Sequence, residues 1–215
     1  GDFRVRRAKA CAQMISLLLL LCSCGSIADG SDEGTDKSGA QLLQEEYRLL
    51  EHCDMTAKLR CDRETETEEY TLRCRWNADG VSTVELLEPE ELTGIRAEWN
   101  GDELALIYDD VSLAAGTYGA EELSPVNCLP LLMDAIRDGY ILQKNTEKTD
   151  GTECLRLLFD MTGTQGGKVQ YAVWFGTGHV PLKAEVITEE QVIFTVDFTE
   201  FSAATDQSGL TAPAS

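Results

Sequence analysis

Two stretches in the first third of the chain alternate apolar and polar residues with a period of two. Met55, Ala57, Leu59 and Cys61 alternate with Thr56, Lys58, Arg60 and Asp62, and then Tyr70, Leu72, Cys74 and Trp76 alternate with Thr71, Arg73, Arg75 and Asn77. Successive side chains of a strand point to opposite faces, so each stretch predicts a strand with one buried and one wet face. The polar segment Glu64 to Glu69 supplies a hairpin turn between them. A turn centred near Thr67 sets Cys61 opposite Cys74, which makes this pair the candidate disulfide; buried free thiols are the other reading of the same residues.

The pattern continues. Val81 to Leu87 follows Asp79-Gly80 and stops before Pro89, and Thr93 to Trp99 and Asp102 to Asp109 flank Asn100-Gly101, whose residues tolerate positive φ. Later, Tyr140 to Thr146, Glu153 to Met161, Lys168 to Phe175, Leu182 to Thr188 and Val192 to Phe201 read as five further strands. Short turns carrying Asp150-Gly151, Gly166-Gly167, Gly176 to Gly178 and Glu189-Glu190 join them. Parallel neighbours need long crossovers, so these runs of hairpins predict antiparallel pairing.

Helical spacing interrupts the strands twice. Ser38 opens the first helix, with Gln41 placed for a capping box. Leu43, Tyr47 and Leu50 form its apolar face beside Leu42, Leu49 and Cys53, and His52 lies at its end. Ser124-Pro125 and Leu129-Pro130 open the second, in which Leu129, Leu132, Met133 and Ile136 face inward, and Gly139 stops it. Helix, about five strands, helix, about five strands is an α+β order dominated by β. It predicts one large, strongly twisted antiparallel sheet, an unclosed half-barrel with helices covering the concave face.

The N-terminus has a different composition. Arg4, Arg6, Arg7 and Lys9 precede an apolar stretch from Ala10 to Cys22, with leucines at 17 to 21. A membrane-spanning helix wants roughly 20 apolar residues. This stretch is shorter and breaks at Ser23, Gly25 and Ser26, which is the layout of a secretory signal. Leu21-Cys22-Ser23-Cys24 resembles the lipobox of bacterial lipoproteins. That resemblance implies that residues 1–23 are removed and Cys24 carries the lipid, holding the protein on the outer face of the cell membrane. The alternative is an unlipidated secreted protein cut near Cys24. Residues 24–37, rich in Gly, Ser and Asp, read as a flexible tether, 38–202 as the folded domain and 203–215 as a disordered tail.

Charge excludes one class of partner. The chain has 18 basic and 38 acidic residues, a net charge of −20, and four of the basic residues lie in the signal. Such a surface repels nucleic acid. Five cysteines besides Cys24 remain after the signal: Cys53, Cys61, Cys74, Cys128 and Cys154. An odd number cannot pair completely within one molecule, and their spacing forms no metal or redox motif.

No catalytic set assembles from sequence. There is no Gly-x-Ser-x-Gly elbow, and His52 and His179 stand alone. Gly163 to Lys168 lacks the spacing and the Ser or Thr of a phosphate loop and reads as a hairpin turn. Asp109-Asp110 and Glu189-Glu190 are solvated acidic pairs. Neither a cofactor nor a metal is expected.

Four segments carry a family resemblance: Glu88-Pro89-Glu90-Glu91-Leu92-Thr93-Gly94, Glu98-Trp99-Asn100-Gly101-Asp102-Glu103-Leu104, the helix after Ser124, and Trp174 through Pro181-Leu182-Lys183-Ala184-Glu185 with the closing strand Val192 to Phe201. Together they resemble the LolA-like lipoprotein carriers across Ser38 to Ser202, and most closely the lipid-anchored LolA-like lipoproteins of spore-forming Firmicutes. The resemblance implies a half-barrel whose cavity takes acyl chains, here tethered to one membrane and not shuttling between two. It implies binding of a hydrophobic ligand or lipidated partner without catalysis. Tyr70, Leu72, Trp76, Trp99, Leu106, Tyr108, Val173, Phe175, Phe194 and Phe198 are the expected cavity wall. The rival is an envelope interaction scaffold, as in sporulation or germination, with the cavity filled by its own side chains and a protein partner outside.

Overall fold

The computed structural model describes residues 38–62, 66–100, 103–117, 123–149, 151–162, 168–205 and 208–211. The signal segment, Cys24, the tether and the Gly163 to Gly167 turn lie outside the described residues.

Helix α1 (Gly39–Arg48) starts where its cap predicts, with the Ser38 amide donating to Gln41 Oε1 at 2.9 Å. Ala40, Leu43, Tyr47 and Leu50 face the core, while Leu42 and Leu49 are exposed. The helix is shorter than its apolar pattern. His52 and Cys53, read as its end, already belong to the first strand, because the buried alternation of that strand begins at Cys53.

Six strands follow: β1 (His52–Asp62), β2 (Thr67–Asn77), β3 (Ser82–Glu88), β4 (Arg96–Asn100), β5 (Glu103–Tyr108) and β6 (Val111–Thr117). After α2 (Pro125–Asp138) come β7 (Tyr140–Thr149), β8 (Thr152–Asp160), β9 (Val169–Phe175), β10 (Pro181–Thr188), β11 (Gln191–Thr205) and β12 (Ser208–Thr211). Two of these strands are additions. Val111 to Thr117 carries no strand in the sequence reading, and Ser208 to Thr211 pairs with the end of β11 inside the segment read as a disordered tail.

All neighbours are antiparallel, in the order β6-β5-β4-β3-β2-β1-β11-β10-β9-β8-β7, with β12 beside β11. The two meanders meet where β1 pairs with β11, so the first and last long strands form the middle of the sheet. Strands β6 and β7 lie at opposite edges and do not pair, which leaves the half-barrel unclosed. The chain between them must cross the whole sheet, and α2 makes that crossing over the concave face. Its packing on β2, β3 and β8 buries Cys128, Leu129, Leu132, Met133 and Ile136.

The β1–β2 register overturns the proposed disulfide. Met55 stands opposite Cys74, and Cys61 stands opposite Glu68. Cys61 and Cys74 are thus six positions out of step, roughly 20 Å along the strands, and both are free thiols. The turn lies three residues earlier than expected because Thr67 to Glu69 extend β2. Arg75 Nε donates to Asp54 Oδ1 at 2.9 Å across the pair, and Thr67 Oγ1 donates to Asp62 Oδ1 at 3.1 Å. Opposite-charge and hydroxyl–carboxylate pairs of this kind favour strand over turn.

The two helices hold each other at the open C-terminal end of α2. The last carbonyls of a helix lack intrahelical donors. Gln44 Nε2 donates to Ile136 O and Gly139 O at 3.2 and 2.8 Å, and Arg48 Nε donates to Arg137 O at 2.8 Å. Gly139 ends α2 in extended backbone (φ −64°, ψ 148°), not by a left-handed turn. A side chain there has no room, because a Cβ would fall against Ala135 O and the Phe159 side chain. Tyr47 anchors α1 from the other side: its ring packs at 5.7 Å from Phe175 and 6.3 Å from Phe201, and its hydroxyl donates to His179 O at 2.8 Å.

Candidate binding surface

The ten expected wall residues divide into four environments. Leu72, Val173, Phe175 and Phe194 are fully packed in the core beneath the helices and face no open space. Tyr70, Leu106 and Phe198 are half-buried at its margin. Only Trp76 and Trp99 of the ten border the cavity described next, and Tyr108 is exposed. The half-barrel's middle is therefore filled by its own side chains, in particular Tyr47, Leu129, Leu132 and Met133.

A cavity of about 380 Å³ lies between α2 and the β2–β3 and β4 ends. Trp76 and Trp99 form its floor, while Asn77, Asp79, Asn100 and Asp134 bring polar groups to its rim. Arg137, one turn beyond Asp134, stacks 4.8 Å over the Trp76 ring. A pocket for a ligand commonly measures about 300–1,000 Å³ and is mostly apolar. This one is at the small end, and its polar rim suits it poorly to an acyl chain.

The apolar character of the concave face does not stop where the helices stop. Met55, Cys74, Val84, Ala97, Leu106 and Leu113 stand in register across the six strands from β1 to β6. The first four are buried and Leu106 is half-buried, whereas Leu113 is 66% exposed. Tyr108 and Val111, paired across the β5–β6 turn, are 59% and 68% exposed. The outer wing of the half-barrel thus carries its apolar row into solvent. Sequence reasoning missed it, apart from Tyr108 and Leu106, because β6 was not recognised; the Val111-Ser112-Leu113 alternation after an acidic turn was its signal.

The titratable candidates form no reactive cluster. Asp109-Asp110 and Glu189-Glu190 each form a two-residue turn with both φ positive (50° and 62°, 50° and 66°). His179 sits in a turn, its Nδ1 2.6 Å from Glu46 Oε2, and His52 opens β1. All five cysteines are buried. Burial pushes the thiols of Cys53, Cys74 and Cys128 well above their ordinary range, the wrong direction for a nucleophile. On the convex face, Trp174 lies between Arg156 and Lys183, 5.0 and 4.8 Å from its ring, and donates to Glu147 Oε2 at 2.9 Å. Among the described residues no three His, Cys, Asp or Glu side chains gather as a metal site, and no helix is long and apolar enough to cross a membrane.

No protein-family model matches the chain, and no curated protein matches it. Solved structures similar to it include a DUF1329 family protein from Desulfovibrio piger, with 12% identity over 78% of this chain and 85% of that one, TM-score 0.47. Lipoprotein LppX of Mycobacterium tuberculosis aligns at 10% identity over 74% and 93%, TM-score 0.39. A LolA superfamily protein from Nitrosomonas europaea aligns at 14% identity over 78% of this chain and 86% of that one, TM-score 0.42.

Proposed function

We propose that the chain is an exported, lipid-anchored envelope protein that works by binding, without catalysis, and that it engages a protein partner on the open wing of its half-barrel. One observation carries the reading: Tyr108, Val111 and Leu113 extend the concave apolar face beyond the helices, each more than half exposed. A contiguous apolar surface left in water marks an interaction site more often than a neutral part of a monomer. Carriage of an acyl chain inside the barrel has weaker support, since four residues of its expected wall are fully packed in the core, three more are half-buried at its margin, and the cavity beside α2 has a polar rim. The anchor rests on the lipobox-like Leu21 to Cys24.

The test is the composition of the full chain purified from its membrane in mild detergent. A protein partner in fixed ratio, released by Leu113→Lys, is the expected result. An equivalent of fatty lipid beyond that on Cys24, retained in Leu113→Lys, would favour carriage instead. For the anchor, Cys24→Ser should move the protein from the membrane to the medium or periplasm; retention in the membrane would refute it.

A further inference from the structure

The two edges of the sheet are built differently. Strand β7 ends the sheet with Lys144, Glu147 and Lys148 along it, the charged edge by which proteins prevent strands from adding. The opposite edge, β6, reads Val-Ser-Leu-Ala-Ala-Gly-Thr and carries no charge and no proline. Its backbone orientation follows from the turn. Asp109-Asp110 is a two-residue turn closed by the pair Tyr108–Val111, and such a pair exchanges hydrogen bonds. Hydrogen-bonded and open positions then alternate, so Leu113 bonds back to β5 opposite Leu106 while Ser112 and Ala114 aim their N–H and C=O groups outward. No described strand meets them.

Charge says what kind of strand fits. Acidic side chains stand at both ends of β6: Asp109 and Asp110 at its start, and Glu103 in the position opposite Thr117 at its end. Arg96, the base on the neighbouring β4, is engaged by Glu98 at 3.0 Å. With a net charge of −20 the chain also repels a second copy of itself. Deepening the binding role proposed above, and resting on it, we propose that β6 accepts an added strand from a protein partner. That strand is an extended segment with apolar side chains at alternate positions and lysine or arginine at its ends. Its backbone pairs with Ser112 and Ala114, its apolar side chains cover Val111 and Leu113, and its basic ends meet the acidic corners.

A labelled synthetic peptide in which valine and threonine alternate between terminal lysine pairs tests this on the full chain, by anisotropy and by amide exchange. The expected result is saturable binding that slows exchange at Ser112 and Ala114 and weakens with salt. Ala114→Pro removes an outward N–H while leaving the β5 ladder intact, and should weaken binding roughly tenfold. Asp109→Asn with Asp110→Asn keeps a turn that favours positive φ and should reduce the salt dependence, with Glu103 left to act at the other end. Equal binding of an all-lysine peptide, indifference to Ala114→Pro, or self-association of the chain through β6 would each overturn the proposal. Fixed-ratio lipid in the purified protein together with β6-dependent peptide binding would sink the functional reading alone. A partner that binds through Leu113 and ignores Ala114→Pro would sink only the strand addition.

Discussion

At the scale of single residues, stability depends on a few buried polar contacts that join elements distant in sequence. Gln44 is the plainest case. Its amide serves two carbonyls at the end of α2 that would otherwise be buried without donors. Gln44→Ala should cost about 1–3 kcal/mol in urea unfolding, the penalty for leaving buried acceptors unsatisfied. Gln44→Glu, which keeps the shape but cannot donate when ionised, should not restore the loss; full recovery would show that packing matters and the hydrogen bonds do not. Tyr47 and the buried thiols make a second prediction. Burial raises Cys53, Cys74 and Cys128 above their ordinary 9.0, and Tyr47 and Tyr171 above 10.0. Below about pH 9 these groups are protonated in both folded and unfolded chain and add no pH dependence. As the pH climbs past their ordinary values, the unfolded chain releases protons that the fold retains, so stability falls. Urea midpoints should drop steadily from about pH 9 upward, and Tyr47→Phe should flatten the part above 10; a flat wild-type profile would contradict this.

At the scale of elements, the end of α2 shows how local geometry decides a substitution. Gly139 does not need its glycine for a positive φ, and its extended backbone would suit any residue. It needs the space, because a methyl group would press on Ala135 O and the Phe159 side chain. Gly139→Ala should therefore destabilise by about 1–3 kcal/mol through overpacking, read from denaturation, whereas an unstrained helix stop would be neutral. The same scale shows what was legible in the sequence. Alternation assigns a face to each strand residue, and Met55 to Cys61 and Tyr70 to Trp76 are buried as their pattern predicts, with Tyr70 only partly so. It does not assign a partner. A slip of six positions conserves every face, so Cys61 opposite Cys74 and Met55 opposite Cys74 satisfy the pattern equally. Cross-strand polar pairs settle the register, among them Thr67 with Asp62 at 3.1 Å and Arg75 with Asp54 at 2.9 Å. Strand β6 was illegible for a different reason. Ala114-Ala115-Gly116 has weak strand propensity, and its place comes from pairing with β5. Wall residues were recognisable as concave, but how far the two helices reach across the sheet is a tertiary fact that periodicity does not contain.

At the scale of the whole molecule, the order of strands sets where the fold is firm. Strands β1 and β11, distant in sequence, form the middle of the sheet, and each is flanked on both sides. Their side chains join the main core with α1 and α2 above them. Toward β6 the helical cover runs out, and at β7 nearly every residue is exposed. Opening free energy follows buried apolar contact and paired backbone, so local stability should fall from the middle to both edges. Native-state hydrogen exchange on the full chain should find its slowest amides in β1, β2, β10 and β11, exchanging only by global unfolding. Inward-bonded amides of β6, such as Leu113, should exchange much sooner although they are in a ladder. A partner strand on β6 would reverse that order at one edge and leave β7 unchanged, because only the β6 side gains a neighbour. Protection of β7 rising in step with β6 would instead mean that the sheet opens as one unit, and that its edges are not the independent surfaces described here.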